Sequence, residues 1–522
     1  MGSDSYVLSL LYKLAGYLLG VLSDSLTYRI LKKIADWFRK CFKESRFIAI
    51  IKKDSRVDEI WDKSKTYKFL FQVIQLPAEI VRKLYIKRYQ VFENSKMFKL
   101  IMLAADNLHI ITALALFITL IIPHSFWYNI FGTLMAVGLL FLLYVRNATK
   151  KDKAFNLKYI GFYLAVFMLC ILLAQIFSLF PALSLRFLVF HITCLIFAFV
   201  LVNSIENDDQ LVTVIEIIFM GVTVIGLYAI YQAIKGVPVN PSQTDLAANP
   251  GMPGRVYSTM ENPNNFGQVL MMMLPFYVAI FMGAKTFIKR FIVFGFAIPP
   301  LLALALTYSR SSWVGFAVAM FMFVVLTNWR LTPLFVLGGI AMIPVLPQTI
   351  YNRILTIFTG DSSVSYRSLI YATVEPMFEK YWFTGVGLGT DVFMNIVRNY
   401  PLHTGVVPPH SHNLYLQIWI ETGLVGIVVF LGFVINTIKR AIKTVKGMAD
   451  TGGNTDNSGN YVKYIIIGGI SSLVGILTVG LAEYVWYYPR VMIIFWVVVG
   501  LLFAANKIAH EKQEQQCIED RA

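Results

Sequence analysis

The segment His410-Ser411-His412-Asn413 combines two imidazoles and an amide where a loop rich in Gly and Pro meets an apolar helix. An imidazole titrates near neutral pH, so it can accept a proton from a hydroxyl group. We therefore predict that His412 acts as a general base, supported by His410, and that Asn413 caps the helix. An interfacial histidine with no chemical role is the alternative.

Two arginines also stand directly before apolar helices. Arg255 lies in Gly-Arg-Val-Tyr-Ser-Thr, and Arg310 lies in Tyr-Ser-Arg-Ser-Ser beside Tyr308, a supporting residue. A helix N-terminus carries a partial positive charge and unpaired N–H groups, and we expect Asn265 and Ser311 to cap these two helices. Two guanidinium groups and three helix N-termini facing one cavity would bind a diphosphate. Such positive surroundings would disfavour protonation of His412. Contact of the arginines with lipid headgroups is the competing interpretation.

A third arginine, Arg367, accompanies an amphipathic pattern. The pattern predicts a helix on the outer membrane surface, either a wall over the cavity, with Arg367 as a third phosphate ligand, or only a scaffold. The apolar positions are Tyr366, Leu369, Ile370, Thr373, Val374, Met377 and Phe378.

The residues of the same loop argue against a metal site and against a nucleotide site. His403, His410 and His412 could share a cation, but no Cys, Asp or Glu accompanies them in the immediate loop, so we predict no metal and no cofactor. The glycines of Gly-Val-Gly-Leu-Gly-Thr, residues 385–390, lack the flanking strand and helix of a dinucleotide site. They predict a turn.

The elements that hold these residues are membrane helices. Hydrophobic residues make up 57% of the 522 residues and charged residues only 15%, with a mean hydropathy of +0.63. We predict an all-α, polytopic membrane protein with about twelve spans over residues 100–506. The predicted spans are 101–123, 126–145, 158–179, 183–204, 211–234, 265–284, 288–307, 311–327, 331–347, 413–437, 463–481 and 488–506.

Basic residues after the second, sixth and tenth spans fall on one side of the membrane. The positive-inside bias places both termini in the cytoplasm, including the tail 507–522, and loops 235–264 and 348–412 outside. The four cysteines lie in the tails or the spans, at Cys41, Cys170, Cys194 and Cys517, and indicate no disulfide framework.

Residues 1–99 carry twenty Lys/Arg against ten Asp/Glu, interleaved with apolar residues at helical spacing such as Ile30, Ile34 and Trp37. We predict a basic amphipathic helical region on the cytoplasmic side that contacts anionic membrane lipids. Nucleic-acid binding is disfavoured, because the region is tethered to a membrane.

Over about residues 100–506 the chain resembles the O-antigen ligase and O-antigen polymerase superfamily, membrane glycosyltransferases of the GT-C type. The motifs that carry the resemblance are RVYSTMENPNNF at 255–266, TYSR at 307–310, Arg367 with the turn 385–390, and HNLYL at 412–416 running to Glu421-Thr422-Gly423. The long basic N-terminal region departs from the pattern of most members.

The resemblance implies that Arg255 and Arg310 bind a diphosphate and that His412 is catalytic. It also implies a donor glycan on undecaprenyl diphosphate, transfer at the outer face of the bacterial cytoplasmic membrane, inversion at the anomeric carbon and no metal. The acceptor would be a hydroxyl group of a glycan, a lipid or a protein. A second lipid-linked repeat as acceptor would make the protein a polymerase.

Two alternatives of other classes stay open. A lipid-linked glycan flippase or transporter would line a pathway with ionisable residues. We expect the candidates to pair with neighbouring helices instead; they are Asp106, His109, His191, Glu216 and Glu421. A non-catalytic scaffold acting through residues 1–99 is the other alternative.

Overall fold

The structure, a computed structural model, describes residues 33, 57–150, 155–158, 160–240, 244, 249, 251–359, 362–450 and 459–519. The chain divides into two compact units, Met1–Ile60 and Trp61–Ala522. The predictions for Ile30, Ile34, Trp37 and Cys41 fall outside the described residues. The second unit holds the elements that matter for the site.

The described residues contain helices and no strand, which confirms the all-α prediction. Short 3₁₀ turns lie at His124–Phe126, Trp329–Leu331 and Ile343–Val345. The α-helices are α1 (Val57–Lys63), α2 (Lys65–Lys87), α3 (Tyr89–Asn94), α4 (Lys96–Asp106), α5 (Leu108–Ile121), α6 (Asn129–Thr149), α7 (Phe162–Ile176), α8 (Pro181–Ser204), α9 (Asp208–Lys235), α10 (Pro263–Gly283), α11 (Phe287–Leu306), α12 (Arg310–Asn328), α13 (Thr332–Met342), α14 (Gln348–Thr359), α15 (Ser362–Tyr381), α16 (Thr390–Val397), α17 (Leu414–Asp450), α18 (Gly459–Val479) and α19 (Pro489–Glu519).

Nine helical segments in the described part of the chain are long and apolar enough to cross a membrane. A tenth results if α4 and α5, which are bent by 80° at their junction, form one broken span. The polytopic prediction is confirmed, whereas the predicted count of twelve is not. One reason is α7, which with 15 residues is shorter than the span predicted at 158–179.

The predicted spans 311–327 and 331–347 lie in one continuous helical segment, Arg310–Val345, of 36 residues. A straight helix of that length would extend about 54 Å. However, the Arg353 side chain donates to the carbonyl of Tyr308, and Arg310 donates to the carbonyl of Thr356. The chain therefore returns to the end at which α12 begins, and within the segment the backbone is extended at Asn328, directly before the 3₁₀ turn Trp329–Leu331.

The candidate spans differ strongly in burial. The candidate spans in α10, α18 and α19 are largely buried, whereas those of α11 and α12–α13 are largely exposed to the surroundings. Residues 61–99 belong to the same unit. Arg82 of α2 donates to the carbonyls of Asn147 and Ala148 at 2.7 and 3.1 Å, where α6 ends and leaves carbonyls unpaired.

The predicted amphipathic helix exists as α15. Its Ile370, Val374 and Met377 are fully buried and form a second small core with residues of α16, including Phe393. The loop 348–412 is thus a helical subdomain, α14 to α16, over the bundle.

The turn at 385–387 packs into a break in α17. At Gly423 the backbone of α17 leaves the helical region, with φ +72°. The carbonyls freed by the break accept hydrogen bonds from the turn, Val386 N to Ile420 O at 2.8 Å and Gly387 N to Glu421 O at 3.2 Å. A Cβ on Gly423 would lie 2.2 Å from the Phe383 carbonyl oxygen, so only glycine fits.

We expect Gly423→Ala to destabilise the protein by about 1–3 kcal/mol, because it combines a positive φ with a backbone clash. Gly295→Ala is the matched control, since a Cβ there meets nothing within 4 Å and α11 is helical at that point. Thermal unfolding of the purified variants in detergent measures both changes. An unfolding temperature of Gly423→Ala equal to that of Gly295→Ala and the wild type would contradict this account of the break.

Candidate active site

The loops that carry the predicted site residues meet at one end of the bundle. Arg255 is buried, and its Nε donates to the carbonyl oxygen of Thr307 at 2.8 Å. The backbone N–H of Val256 donates to the Leu306 carbonyl at 3.3 Å. These contacts hold the Arg255 loop against the start of α12, where Arg310 lies.

Glu483, in the turn between α18 and α19, joins the remaining residues. Its Oε1 lies 2.9 Å from Nη2 of Arg367, and its Oε2 lies 3.5 Å from Nδ1 of His412. Asn264 extends the cluster, because its Nδ2 donates to Glu483 Oε1 at 3.4 Å and its Oδ1 accepts from Arg255 Nη2 at 2.5 Å. One connected network therefore links His412, Arg367 and Arg255.

Sequence reasoning missed Glu483 and Asn264. Asn264 lies in the motif RVYSTMENPNNF, but no function was predicted for it from the sequence. Glu483 had a usable signal, since it is an acidic residue directly after the eleventh predicted span, on the same predicted side as His412.

The electrostatics of the network centre on Glu483. Burial alone would raise the pKa of Glu483, but the facing His412 side chain and the Arg367 charge outweigh burial and lower it to about 2. This carboxylate is therefore ionised at neutral pH. A negative charge therefore stands beside Nδ1 of His412, in addition to the positive groups expected from the sequence.

The geometry of His412 assigns different roles to its two ring nitrogens. With Nδ1 facing the carboxylate, the neutral tautomer protonated at Nδ1 leaves Nε2 with a free lone pair. The ring lies between His410 and Tyr366, with centroid distances of 4.2 and 6.4 Å. Its side chain is 25% exposed, enough for a substrate hydroxyl to approach.

Backbone strain coincides with the three predicted loops. Among the residues that the structure describes, the non-glycine residues with positive φ are Ser258 (+53°), Tyr308 (+49°) and His412 (+50°). Each lies within three residues of Arg255 or Arg310, or is the predicted base itself. Strain of this kind persists only where surrounding contacts impose it, and it concentrates at functional sites.

Arginines form the second part of the site. Arg310 Nη1 donates to the carbonyl and the hydroxyl of Thr356 at 2.9 and 3.0 Å. Arg353 of α14, which was not predicted, is buried, and its Nε donates to the Tyr308 carbonyl at 3.4 Å. Burial and the charges of Arg353 and Arg310 lower the pKa of Arg255 to about 9, so it stays protonated at neutral pH. Three positive charges thus act on one another at this end of the bundle.

Two of the three predicted helix caps were wrong. Asn262 rather than Asn265 caps α10, by accepting from the N–H groups of Asn264 and Asn265, and Ser309 rather than Ser311 precedes α12. In both cases the helix begins earlier than the apolar pattern does. Asn413 caps α17 as predicted, since its Oδ1 accepts from Tyr415 N and Leu416 N at 2.9 and 3.0 Å.

The His410–Asn413 segment is held rigidly. His410 is buried, and its Nδ1 accepts from the His412 backbone N–H at 3.1 Å. Ser411 N donates to Gln417 Oε1 at 2.9 Å, and Asn413 Nδ2 donates to the Leu481 carbonyl at 3.1 Å.

The third histidine of the loop, His403, does not join this segment. It is exposed, and its backbone N–H donates a hydrogen bond to the hydroxyl of Thr373. In the described part of the chain no group of three or more His, Cys, Asp or Glu side chains is arranged to hold a metal.

This arrangement combines a base with an anion-binding surface. The imidazole paired with a carboxylate can take up a proton, and the guanidinium groups can neutralise a diphosphate.

Part of the chain matches a known protein family. Residues 269–431 match the family model Wzy_C, O-antigen ligase. The superfamily resemblance is thus confirmed for this part of the chain, which contains Arg310, Arg353, Arg367 and His412 but neither Arg255 nor Glu483. None of the curated proteins matches the chain.

We expect the free energy of unfolding of His410→Asn to decrease less than that of the wild type as the pH falls below 6.5. Burial, together with the positive groups nearby, lowers the pKa of His410 from 6.5 to about 3, so folded His410 stays neutral while the unfolded chain takes up a proton. Stability is then complete above pH 6.5 and is lost as the pH falls toward 3, by about 1.4 kcal/mol per pH unit. Asn keeps an acceptor for the His412 N–H. Unfolding temperatures between pH 7 and pH 5 provide the measurement, with His403→Asn as control; parallel profiles for wild type and His410→Asn would contradict the expectation.

Proposed function

We propose that this protein moves a glycan from undecaprenyl diphosphate to an acceptor hydroxyl at the outer face of the bacterial cytoplasmic membrane, with both termini in the cytoplasm. The family match supports a membrane glycosyltransferase of the O-antigen ligase or polymerase kind that uses a lipid-linked glycan. The observation that carries the finer proposal is the network around Glu483, which joins His412 to the arginines.

In the proposed reaction, Nε2 of His412 takes the proton of the acceptor hydroxyl as its oxygen attacks the anomeric carbon. The new C–O bond forms as the bond to the diphosphate oxygen breaks, and the electron pair leaves with the diphosphate. Attack from the face opposite the leaving group inverts the anomeric carbon. Glu483 keeps the Nδ1 proton in place and stabilises the imidazolium that results.

In this proposal the arginines bind and stabilise the leaving group, the lipid diphosphate. Arg255 and Arg310 bind the phosphate oxygens and neutralise the charge that develops as the bond breaks. Guanidinium suits this role because it stays charged and binds two oxygens at once. Arg353 adds a third positive charge. No acid catalyst is required, because a neutralised diphosphate already leaves readily.

The role of Arg367 differs from the one expected from the sequence. Its Nη2 is ion-paired with Glu483, so we propose that it positions the carboxylate and adds to the positive field rather than acting first as a phosphate ligand. Tyr308 and Asn413 hold the loops through backbone contacts, and His410 supports the His412 ring.

Transport finds less support. Glu216 is paired with Lys289 at 2.9 Å. Glu421 accepts from Gln417 and Tyr484 at 3.0 and 3.2 Å, and His191 packs edge-on against Trp486. Lys289, Tyr484 and Trp486 lie on neighbouring elements and Gln417 on the same helix as Glu421, and such pairing is typical of structural residues.

We expect His412→Ala to lower the transfer rate by about 10²–10⁴-fold, the contribution of a general base. Arg310→Lys should also lower it strongly, because lysine loses the paired contacts of guanidinium. His403→Ala and Arg398→Lys change exposed residues of the same loop and should transfer normally. The assay is glycan transfer by purified protein from a lipid-linked donor in detergent. Near-normal rates for both site variants would refute the proposed chemistry.

Deletion of residues 1–60 should leave transfer in detergent intact, since the compact unit that holds the site begins at Trp61. Loss of transfer by a folded deletion variant would contradict this expectation, and absence of transfer by the purified full chain would favour the scaffold alternative. Cells lacking the protein separate the two enzymatic outcomes, because single lipid-linked repeats accumulate without a polymerase and finished chains accumulate without a ligase.

A further inference from the structure

A cavity lies beside the segment His410–Asn413, which carries His412. Its volume is about 300 Å³, at the small end of the range for ligand sites. Residues of several elements line it, among them Trp127, Arg186, Glu261, Asp391, Pro409 and Tyr487. Neither Arg255, Arg310 nor His412 belongs to this lining.

The cavity adjoins the candidate active site through the two segments that form that site. Pro409 immediately precedes His410, and Tyr487 follows Glu483 by four residues. The ring of His410 separates the two spaces, since its centroid lies 4.6 Å from that of Tyr487 and 4.2 Å from that of His412. Glu261 comes from the same loop as Arg255. A molecule in the cavity is therefore one side chain, that of His410, away from the proposed base.

The chemistry of the lining suits a sugar. The half-buried side chain of Tyr487 offers apolar surface to the C–H face of a sugar ring and carries one polar group. The edges of the ring are hydroxyl groups, which both donate and accept hydrogen bonds. Arg186 and Asp391, paired at 2.7 Å, and the carboxylate of Glu261 provide both kinds of partner.

The same lining argues against the other molecules of the proposed reaction. A diphosphate would meet two carboxylates, Glu261 and Asp391, with one arginine that is already paired. A polyprenyl chain would leave these charged groups without water or partners. A hydroxyl-rich saccharide satisfies all of them.

We propose that this cavity binds the sugar rings of the acceptor glycan beside the hydroxyl that His412 activates. The inference rests on the proposed function and extends it, because it makes the acceptor a saccharide and places it at Arg186, Glu261 and Asp391.

Three variants of the full chain test the assignment. Arg186→Ala removes the guanidinium donors, Asp391→Asn removes the negative charge that pairs with Arg186, and Met394→Trp, at a half-buried lining position of α16, fills the cavity. We expect the KM for the acceptor to rise about tenfold or more, as for lost charged hydrogen bonds, while the KM for the donor and the slow hydrolysis of the donor by water stay within about twofold. Arg186→Lys should restore much of the loss, because it keeps the pair with Asp391.

Arg398→Ala is the matched control, an exposed arginine directly after α16 that does not line the cavity. An unchanged acceptor KM in all three variants would overturn the assignment, and so would a donor KM that rises in parallel.

A binding measurement separates failure of this inference from failure of the proposed function. The probe is the oligosaccharide portion of the acceptor used in the transfer assay, titrated onto wild type and Met394→Trp without donor. Binding to the wild type that is lost in the variant supports the cavity even if the protein transfers nothing. Equal binding to both proteins, or none to the wild type, contradicts the inference even if transfer is normal.

Discussion

The site depends on one buried negative charge. A carboxylate removed from water is tolerated only when cations and hydrogen-bond donors compensate it, and leaving such a charge without partners costs several kcal/mol. Glu483 obtains its partners from three other parts of the chain: Arg367 from α15, His412 from the start of α17 and Asn264 from the start of α10. The requirement to satisfy this charge therefore brings together segments that lie far apart in sequence, and it orients the imidazole at the same time.

The arginines of the site are several positive charges held close together. Burial and then the repulsion of Arg353 and Arg310 lower the pKa of Arg255. Backbone carbonyls near the start of α12 and within α14 hold the guanidinium groups in place. Such a cluster is prepared for an anion, because the cost of assembling the charges is met during folding and is recovered when the anion binds. The carboxylate and the arginine cluster are thus complementary parts of one electrostatic arrangement.

Rigidity at this end of the bundle comes from irregular backbone. The turn at 385–387 inserts into the break of α17 at Gly423 and pairs the carbonyls that the break exposes. Three strained residues, Ser258, Tyr308 and His412, stand in the loops of the site, where backbone and side-chain contacts fix them. Within a membrane protein such irregular segments survive where they are buried in protein, because lipid offers no hydrogen-bond partners. The helical subdomain of α14 to α16 provides that cover.

The sequence by itself determined the fold class, most of the helical segments and the residues Arg255, Arg310, Arg367 and His412 as candidates, because hydropathy, helix periodicity and the spacing of polar groups are local properties. It misplaced two helix caps, where Asn262 and Ser309 lie ahead of the apolar pattern from which the helices were predicted. Only the tertiary structure decided that Glu483 pairs with His412, that Arg353 joins the arginines and that Arg367 faces a carboxylate. Those contacts join residues separated by more than 40 positions, and which charge meets which depends on how the helix ends pack, a property that no local pattern records.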